Sequence, residues 1–228
     1  MAEPEKIEQT RAMLEIHHRD GEQFVELMKQ TFEQRFNEEF WQTWQQWMAP
    51  VTGASAVVLD LGTGPGLFLT EITARYPGTR AIGVECAEYM INAVPLGSEI
   101  IETDLHDPHL PVADGDVDAV MAAMVLHEMH QPVRALQEMQ RCLKPGGRIC
   151  IVDWVRAPLA QYLASEEKAV FDPAMPLAEL EDIFIHFIEH NRFSTDDLAF
   201  MLEQTGFKVL DITLLKNGQF ARLIAEKL

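Results

Sequence analysis

The sequence predicts an α/β domain built on a mostly parallel sheet whose last strands turn antiparallel. Three observations carry this reading. Short apolar runs recur at 56–61, 81–84, 100–101, 117–121 and 148–152, as expected of strands buried on both faces. Stretches with helical spacing of apolar residues lie between them, and strands alternating with helices make a parallel sheet. Near the end, Lys216-Asn217-Gly218 separates two strand-like runs, and Asn-Gly in that position signals a hairpin.

Taken in order, residues 4–48 carry Ile7, Met13 and Leu14, then Phe24, Leu27, Met28, Phe32, Phe36, Phe40, Trp44 and Trp47. This spacing predicts two helices broken near Asp20-Gly21, so residues 1–50 read as an N-terminal helical cap and 51–228 as the main domain. Helices are expected at 66–75, 87–93 and 132–143, the last stopped by Lys144-Pro145-Gly146-Gly147. Residues 155–193 interrupt the strand rhythm with two helical segments separated by Asp172-Pro173 and Pro176, an insertion of lid length beside the sheet. Ser194-Thr195-Asp196-Asp197 then opens a helix with a capping side chain and an acidic first turn.

Composition narrows the function. The 228 residues suffice for one domain with a full core. Lys plus Arg number 18 and Asp plus Glu 36, a formal net charge of −18, which disfavours nucleic acid as a groove-bound substrate and docking on an anionic membrane. The longest apolar run, 119–126, is far short of the roughly 20 residues that span a bilayer. The first residues are acidic and polar, unlike a secretory signal. Cys86, Cys142 and Cys150 show no CxxC spacing, which argues against a disulfide framework or thiolate zinc site. A cytoplasmic, reducing location is expected.

The most informative segment runs Val57-Val58-Leu59-Asp60-Leu61-Gly62-Thr63-Gly64-Pro65-Gly66. A strand enters a turn with alternate glycines and then a helix, so backbone N–H groups can approach a ligand closely. The spacing is GxGxG rather than the GxGxxG of a pyrophosphate-binding turn, which favours a ligand without a diphosphate. Glu85 closes the second strand, where a carboxylate can accept from ribose hydroxyls. Asp104, in Glu102-Thr103-Asp104-Leu105, follows the third strand and is placed to accept from an adenine amine while Leu105 covers a ring face. Together these describe an adenosine site.

With Gly83-Val84-Glu85, Thr103-Asp104-Leu105, residues 118–127 and Leu143-Lys144-Pro145-Gly146-Gly147, the glycine segment resembles the class I S-adenosylmethionine-dependent methyltransferases. Within these it is most similar to the type 11, quinone-biosynthesis-like group. The resemblance covers about residues 56–153. It implies a Rossmann-like methyltransferase fold with a seven-stranded sheet ending in an antiparallel hairpin, and S-adenosylmethionine as cofactor with S-adenosylhomocysteine as product. It puts Gly62, Thr63, Gly64 and Gly66 against the methionine part, with Asp60 supporting the turn or the amino group. Glu85 would hold the ribose with Cys86 beside it, Asp104 and Leu105 the adenine, and Ala122 would meet the amino group through backbone.

Methyl transfer from a sulfonium is an in-line displacement in which the protein aligns the nucleophile and excludes water. Where the nucleophile starts protonated a base is needed, and His127 and Glu128, following the fourth strand, are the candidate catalytic residues. Their alternative role is packing beside the cofactor. His106 and His109 read as surface loop residues. His186 and His190 have ligand spacing with Glu189 between them, but without a third ligand no metal site is expected. The adjacent pair His17-His18 should point to different helix faces. Phe32, Phe36, Phe40 and Trp44 form a stripe that either packs on the sheet or, with Trp41 and Trp47, walls a substrate pocket.

The favoured reading is an enzyme that methylates a small, partly apolar acceptor. A non-catalytic cofactor-binding or interaction protein of the same fold is the alternative, and a homodimer through the N-terminal helices stays open. A nicotinamide-dependent oxidoreductase is opposed by the GxGxG spacing and the terminal hairpin. Cysteine-dependent arsenic methylation is discounted because all three cysteines fall in or beside core elements.

Overall fold

A computed structural model describes residues 4–165 and 169–228; residues 1–3 of the expected cap and 166–168 of the expected lid lie outside the described residues. Four α-helices precede the sheet among the described residues: α1 (Pro4–His18), α2 (Gly21–Gln30), α3 (Phe32–Arg35) and α4 (Glu38–Trp47). The sequence spacing predicts two, and capping chemistry explains the difference. The Asp20 carboxylate accepts from the Gln23 N–H and starts α2, while the Asn37 side chain accepts from the Phe40 N–H and starts α4. These Asx caps satisfy helix-start donors and break the aromatic stripe between Phe36 and Phe40.

The chain then runs β1 (Val57–Leu61), α5 (Leu67–Arg75), β2 (Arg80–Glu85), α6 (Glu88–Ile91), β3 (Glu99–Glu102), β4 (Val117–Ala123), α7 (Val133–Cys142) and β5 (Leu143–Trp154). The lid region gives α8 (Leu159–Ser165) and α9 (Leu177–His190), and α10 (Thr195–Gln204), β6 (Phe207–Leu215) and β7 (Phe220–Lys227) complete the fold. The expected turn at Lys144–Gly147 is absorbed into β5 as an irregularity. Val117 pairs with Leu143 but Ala119 with Arg148, and Gly146 takes a positive φ of 76°.

The seven strands lie in the order β3-β2-β1-β4-β5-β7-β6. Pairing is parallel from β3 through β5 and antiparallel on both sides of β7. The expected hairpin joins β6 to β7, with Asn217 and Gly218 at φ 56° and 84°. Strand order reverses between β1 and β4, so a crevice opens at their carboxyl ends, where ligands of such sheets bind.

Alternation along the strands divides the core. Leu59, Leu61, Ile82, Val84, Val120 and Ala122 pack on one face with α7 and α10. Val58, Met121, Cys150 and Ile224 pack on the other with α4 and α5. On that second face Phe40, Trp41 and Trp44 meet Phe68 and Ile72. The packing half of the stripe's expected role therefore belongs to Phe40 and Trp44, and Trp41 joins it. Phe32 lines the crevice instead, and Phe36 does both, packing against Phe40 and Phe68 while lining the crevice.

Candidate active site

The site begins at the glycine turn. Gly62 and Gly64 take φ of 60° and 55°, a conformation that costs an L side chain about 1–2 kcal/mol. The Thr63 N–H donates to the Val84 carbonyl at 3.1 Å, tying the turn to β2. The Thr63 hydroxyl donates to Asp60 Oδ2 at 2.6 Å. A Cβ on Gly62 would meet Val125 at 2.7 Å and one on Gly66 would meet Val94 at 2.9 Å, whereas the space beside Gly64 is open, with Met90 Sδ the nearest atom at 3.8 Å. Gly62, Thr63 and Gly64 line the cavity; Gly66 instead packs at the start of α5. Burial pushes the Asp60 carboxyl up to about 7, with the Glu85 charge adding and the Thr63 hydrogen bond opposing.

Glu85 at the end of β2 is buried and accepts from the Gly64 N–H at 2.9 Å, the Cys86 N–H at 2.8 Å and the Ala87 N–H at 3.0 Å. Burial raises its pKa against those three backbone bonds. Cys86 lies beside it, with its thiol raised by burial. Asp104 and Leu105 also reach the cavity, but Asp104 has protein partners. Its Oδ2 accepts from Thr10 at 3.0 Å, and its Oδ1 is 2.9 Å from both the backbone N and Nδ1 of His106. Burial opposes ionisation of Asp104, yet the His106 and Thr10 bonds hold its pKa below the ordinary value. His106 is accordingly no surface residue. Ala122 is paired with Leu61 and Ile151 and packed in the core; its neighbours Ala123 and Met124 line the cavity. Met124 carries a φ of 58°, a strained non-glycine conformation of the kind that gathers at functional sites.

The cavity encloses about 310 Å³, within the range of small-molecule sites. Its outer wall is the cap: Met13, Leu14, Phe24, Met28, Phe32 and Phe36. Arg35 lines it too. That guanidinium reaches the Met28 carbonyl and thioether, and its buried Nε has no hydrogen-bond partner. Burial lowers its pKa, with no carboxylate among the causes.

Past β4, His127 and Glu128 occupy a 3-10 turn (Leu126–Glu128). His127 is buried with Nδ1 2.6 Å from Asp153 Oδ1, at the end of β5. Asp153 Oδ2 meanwhile accepts from the Leu126 N–H at 2.7 Å, fixing the turn. Burial disfavours the His127 imidazolium, but Asp153 and Glu128 outweigh it and raise the pKa. Burial would likewise raise Glu128, yet the His18 hydrogen bond at 3.0 Å and the charges of His127, His18 and His17 hold it below the usual carboxylate value. His130 is exposed.

Several residues here take places that the sequence spacing does not assign to them. His17 and His18, expected on different faces, both reach Glu128, at 3.7 Å and 3.0 Å. They are adjacent in the last turn of α1 with ring centroids 5.3 Å apart, close enough for one carboxylate to meet both. His190 comes from the last turn of α9 and stacks on His127 with ring centroids 4.9 Å apart. Burial, with His127 and His186 nearby, pushes His190 down to about 2. Burial likewise lowers His17 against Glu128 and Glu189. His186 takes no part in this group: its Nδ1 lies 2.5 Å from the Tyr162 hydroxyl, and the rings that join His190 here are His127 and His17. Asp153 was open to detection, since it stands at the carboxyl end of its strand, one residue before Trp154, much as Glu85 closes β2.

A family model described as a methyltransferase domain matches residues 33–212. A ubiquinone/menaquinone biosynthesis C-methyltransferase of Syntrophotalea carbinolica is 32% identical over 42% of this chain and 43% of its own. An arsenite methyltransferase of Halobacterium salinarum is 29% identical over 68% of this chain and 38% of its own. The chain thus spans less than half the length of these two relatives. Among solved structures, an S-adenosylmethionine-dependent methyltransferase from Aquifex aeolicus superposes with a TM-score of 0.57 at 19% identity, covering 79% of this chain and 87% of its own. The geranyl diphosphate C-methyltransferase of Streptomyces coelicolor, solved with Mg2+, geranyl diphosphate and S-adenosylhomocysteine, gives 0.56 at 16%, covering 78% and 74%. With a match over most of its length, and with the sheet and glycine turn described above, the chain belongs to the methyltransferase-domain family of S-adenosylmethionine-dependent enzymes.

Proposed function

We propose that the chain transfers the methyl group of S-adenosylmethionine to a small, partly apolar acceptor held between the glycine turn and the histidines past β4. The observation that carries this reading is one cavity lined by Gly62–Gly64, by Asp60 and Glu85, and by the Arg35 side chain. That set suits a ligand with an ammonium, ribose hydroxyls and a carboxylate. When bound, the cofactor supplies an electrophilic methyl on a sulfonium, so no protein nucleophile is required. Asp60 takes the ammonium, Glu85 the ribose and Arg35 the carboxylate. Leu105 covers the adenine, with Asp104 at its edge. The cap helices exclude water from the reacting atoms. Glu128 and His127 face the acceptor and accept its proton where it begins protonated.

An apolar acceptor is supported by the Met, Leu and Phe side chains of the cap wall and by the likeness to a quinone-biosynthesis C-methyltransferase. An arsenic acceptor is not adopted: Cys86, Cys142 and Cys150 sit in three different hydrophobic clusters and cannot converge. The reading keeps a reducing cytoplasm, on three free and buried thiols. It does not include a homodimer through the cap, whose Leu14, Val25, Phe40 and Trp44 are spent inward. No helix among the described residues is long and apolar enough to cross a membrane.

Two tests follow. Arg35→Met removes a charged hydrogen bond worth about 1.5–3 kcal/mol, so cofactor affinity should fall roughly 10–100-fold with the melting temperature preserved. Affinity unchanged in a titration would remove Arg35 from the site. The second test concerns protons. Burial holds the Asp60 proton in the folded chain up to about 7, well above an ordinary carboxyl, so its contribution to stability is full below about pH 4 and is lost as pH rises toward 7. An ammonium beside it favours the carboxylate. Cofactor binding near pH 6 should therefore release a proton and weaken as pH falls below 7. Calorimetry in buffers of different ionisation enthalpy measures that release, and the same binding heat in every buffer would refute it.

A further inference from the structure

We propose that His17, His127 and His190 form a binding site for a divalent transition-metal ion of the zinc class. The three imidazoles come from distant parts of the sequence: the end of α1, the 3-10 turn past β4 and the last turn of α9. Their ligating atoms lie within 4.8 Å of one another. Around a tetrahedral ion with bonds of 2.0–2.1 Å those atoms stand about 3.3 Å apart, so the rings need close by no more than about 1.5 Å.

Orientation is the stronger argument. Each Nδ1 is already held by an acceptor: that of His127 by Asp153 at 2.6 Å, that of His17 by Glu189 at 2.9 Å and that of His190 by the His186 carbonyl at 2.8 Å. In the neutral ring, the form a metal binds, a proton on Nδ1 leaves Nε2 a bare lone pair. Metal-ligating histidines are held in this way, with the far ring nitrogen donating to a carboxylate or carbonyl that sets tautomer and direction. Three lone pairs lining one cavity offer one another nothing, because acceptors do not pair with acceptors. A Lewis acid resolves the arrangement. Imidazole donors select zinc, copper, nickel or iron over magnesium or calcium, and the carboxylates of Asp153, Glu128 and Glu189 offset the charge of a dication.

The ion has a route in. A second cavity of about 450 Å³ is lined by His17, Glu128 and Glu189 together with exposed Ile16 and His130. Binding there ties the cap through His17 and the lid through His190 to the sheet edge at His127. A three-histidine set leaves a fourth position for water or a ligand atom. Glu128 stands beside it, 3.7 Å from His17 Nε2 and 3.9 Å from His127 Nε2. With the ion in place His127 is a ligand, and Glu128 is the group to which a metal-bound acceptor hydroxyl or thiol gives its proton. That last consequence rests on the methyl-transfer reading; the metal site does not.

The test uses the full chain, stripped with a chelator and titrated with Zn2+ by calorimetry and with Co2+ by visible absorption, without cofactor. Saturation at one ion per chain, a raised melting temperature and the absorption of four-coordinate Co2+ with nitrogen ligands are expected. His17→Ala, at a half-buried cap position, should weaken Zn2+ more than 100-fold. Glu189→Ala, which frees a ligand without removing one, should weaken it roughly 10–100-fold. Wild-type protein that does not saturate at one equivalent, or that binds Zn2+ no more tightly than His17→Ala, would overturn the site. Because cofactor is absent throughout, that failure is separate from a failure to bind S-adenosylmethionine.

Discussion

Gly64→Val is expected to abolish measurable cofactor binding, weakening it by more than 100-fold, while the protein still folds. The φ of 55° at Gly64 strains a β-branched residue, at a stability cost of about 1–2 kcal/mol. Folding tolerates that, because the new Cβ finds its nearest atom only at 3.8 Å. The cost to binding is larger. The open space lies on the cavity wall, where the proposed cofactor site would bring the ligand close to the backbone, and two methyl groups there would displace it. Gly62→Ala makes the contrasting control: its Cβ would meet Val125 at 2.7 Å, so it should lose stability rather than affinity alone. Differential scanning calorimetry with ligand titration separates the two. A Gly64→Val protein that binds normally would place the ligand elsewhere.

The second large effect concerns stability. Trp44→Ala should cost about 3–5 kcal/mol, lowering the melting temperature on the order of 10 °C in a domain of this size. Trp44 is 1% exposed and packs against Phe40, Trp41 and Phe68 where α4 covers the sheet, so its removal leaves a void the neighbours cannot fill. Trp44→Phe should cost much less. The indole N–H of Trp44 is buried without a partner, and an unsatisfied donor carries a penalty of about 1–3 kcal/mol that phenylalanine relieves. Urea denaturation checks both. A loss under about 1 kcal/mol for the alanine variant would contradict this packing.

What the sequence made legible follows from its physics. The sheet was readable because β1 and β4 are buried on both faces and show unbroken apolar runs. The glycine turn was readable because its positive φ values demand the residue, and Glu85 because it ends a strand at the switch point. Residues whose position depends on a helix end or a cap were not readable. Arg35 sits between Phe32 and Phe36 and looks like the solvated side of one long amphipathic helix, whereas α3 stops at Arg35 and Asn37 starts a new helix. His17 and His18 follow helical geometry on paper, yet at the end of α1 both rings reach Glu128. Ala122 and Ala123 differ by one position in a period-two pattern, too fine a distinction for a strand whose phase was read from apolar residues alone. His190 needed the lid's path across the sheet edge, which no local spacing encodes.

The central claim is that the glycine turn and its two carboxylates receive S-adenosylmethionine. The most direct test is calorimetric titration of the purified chain with S-adenosylmethionine, S-adenosylhomocysteine and NAD. Saturable binding of the first two at one equivalent, with no heat from NAD, is the expected result. Binding of NAD alone, or of none of the three, would contradict the claim.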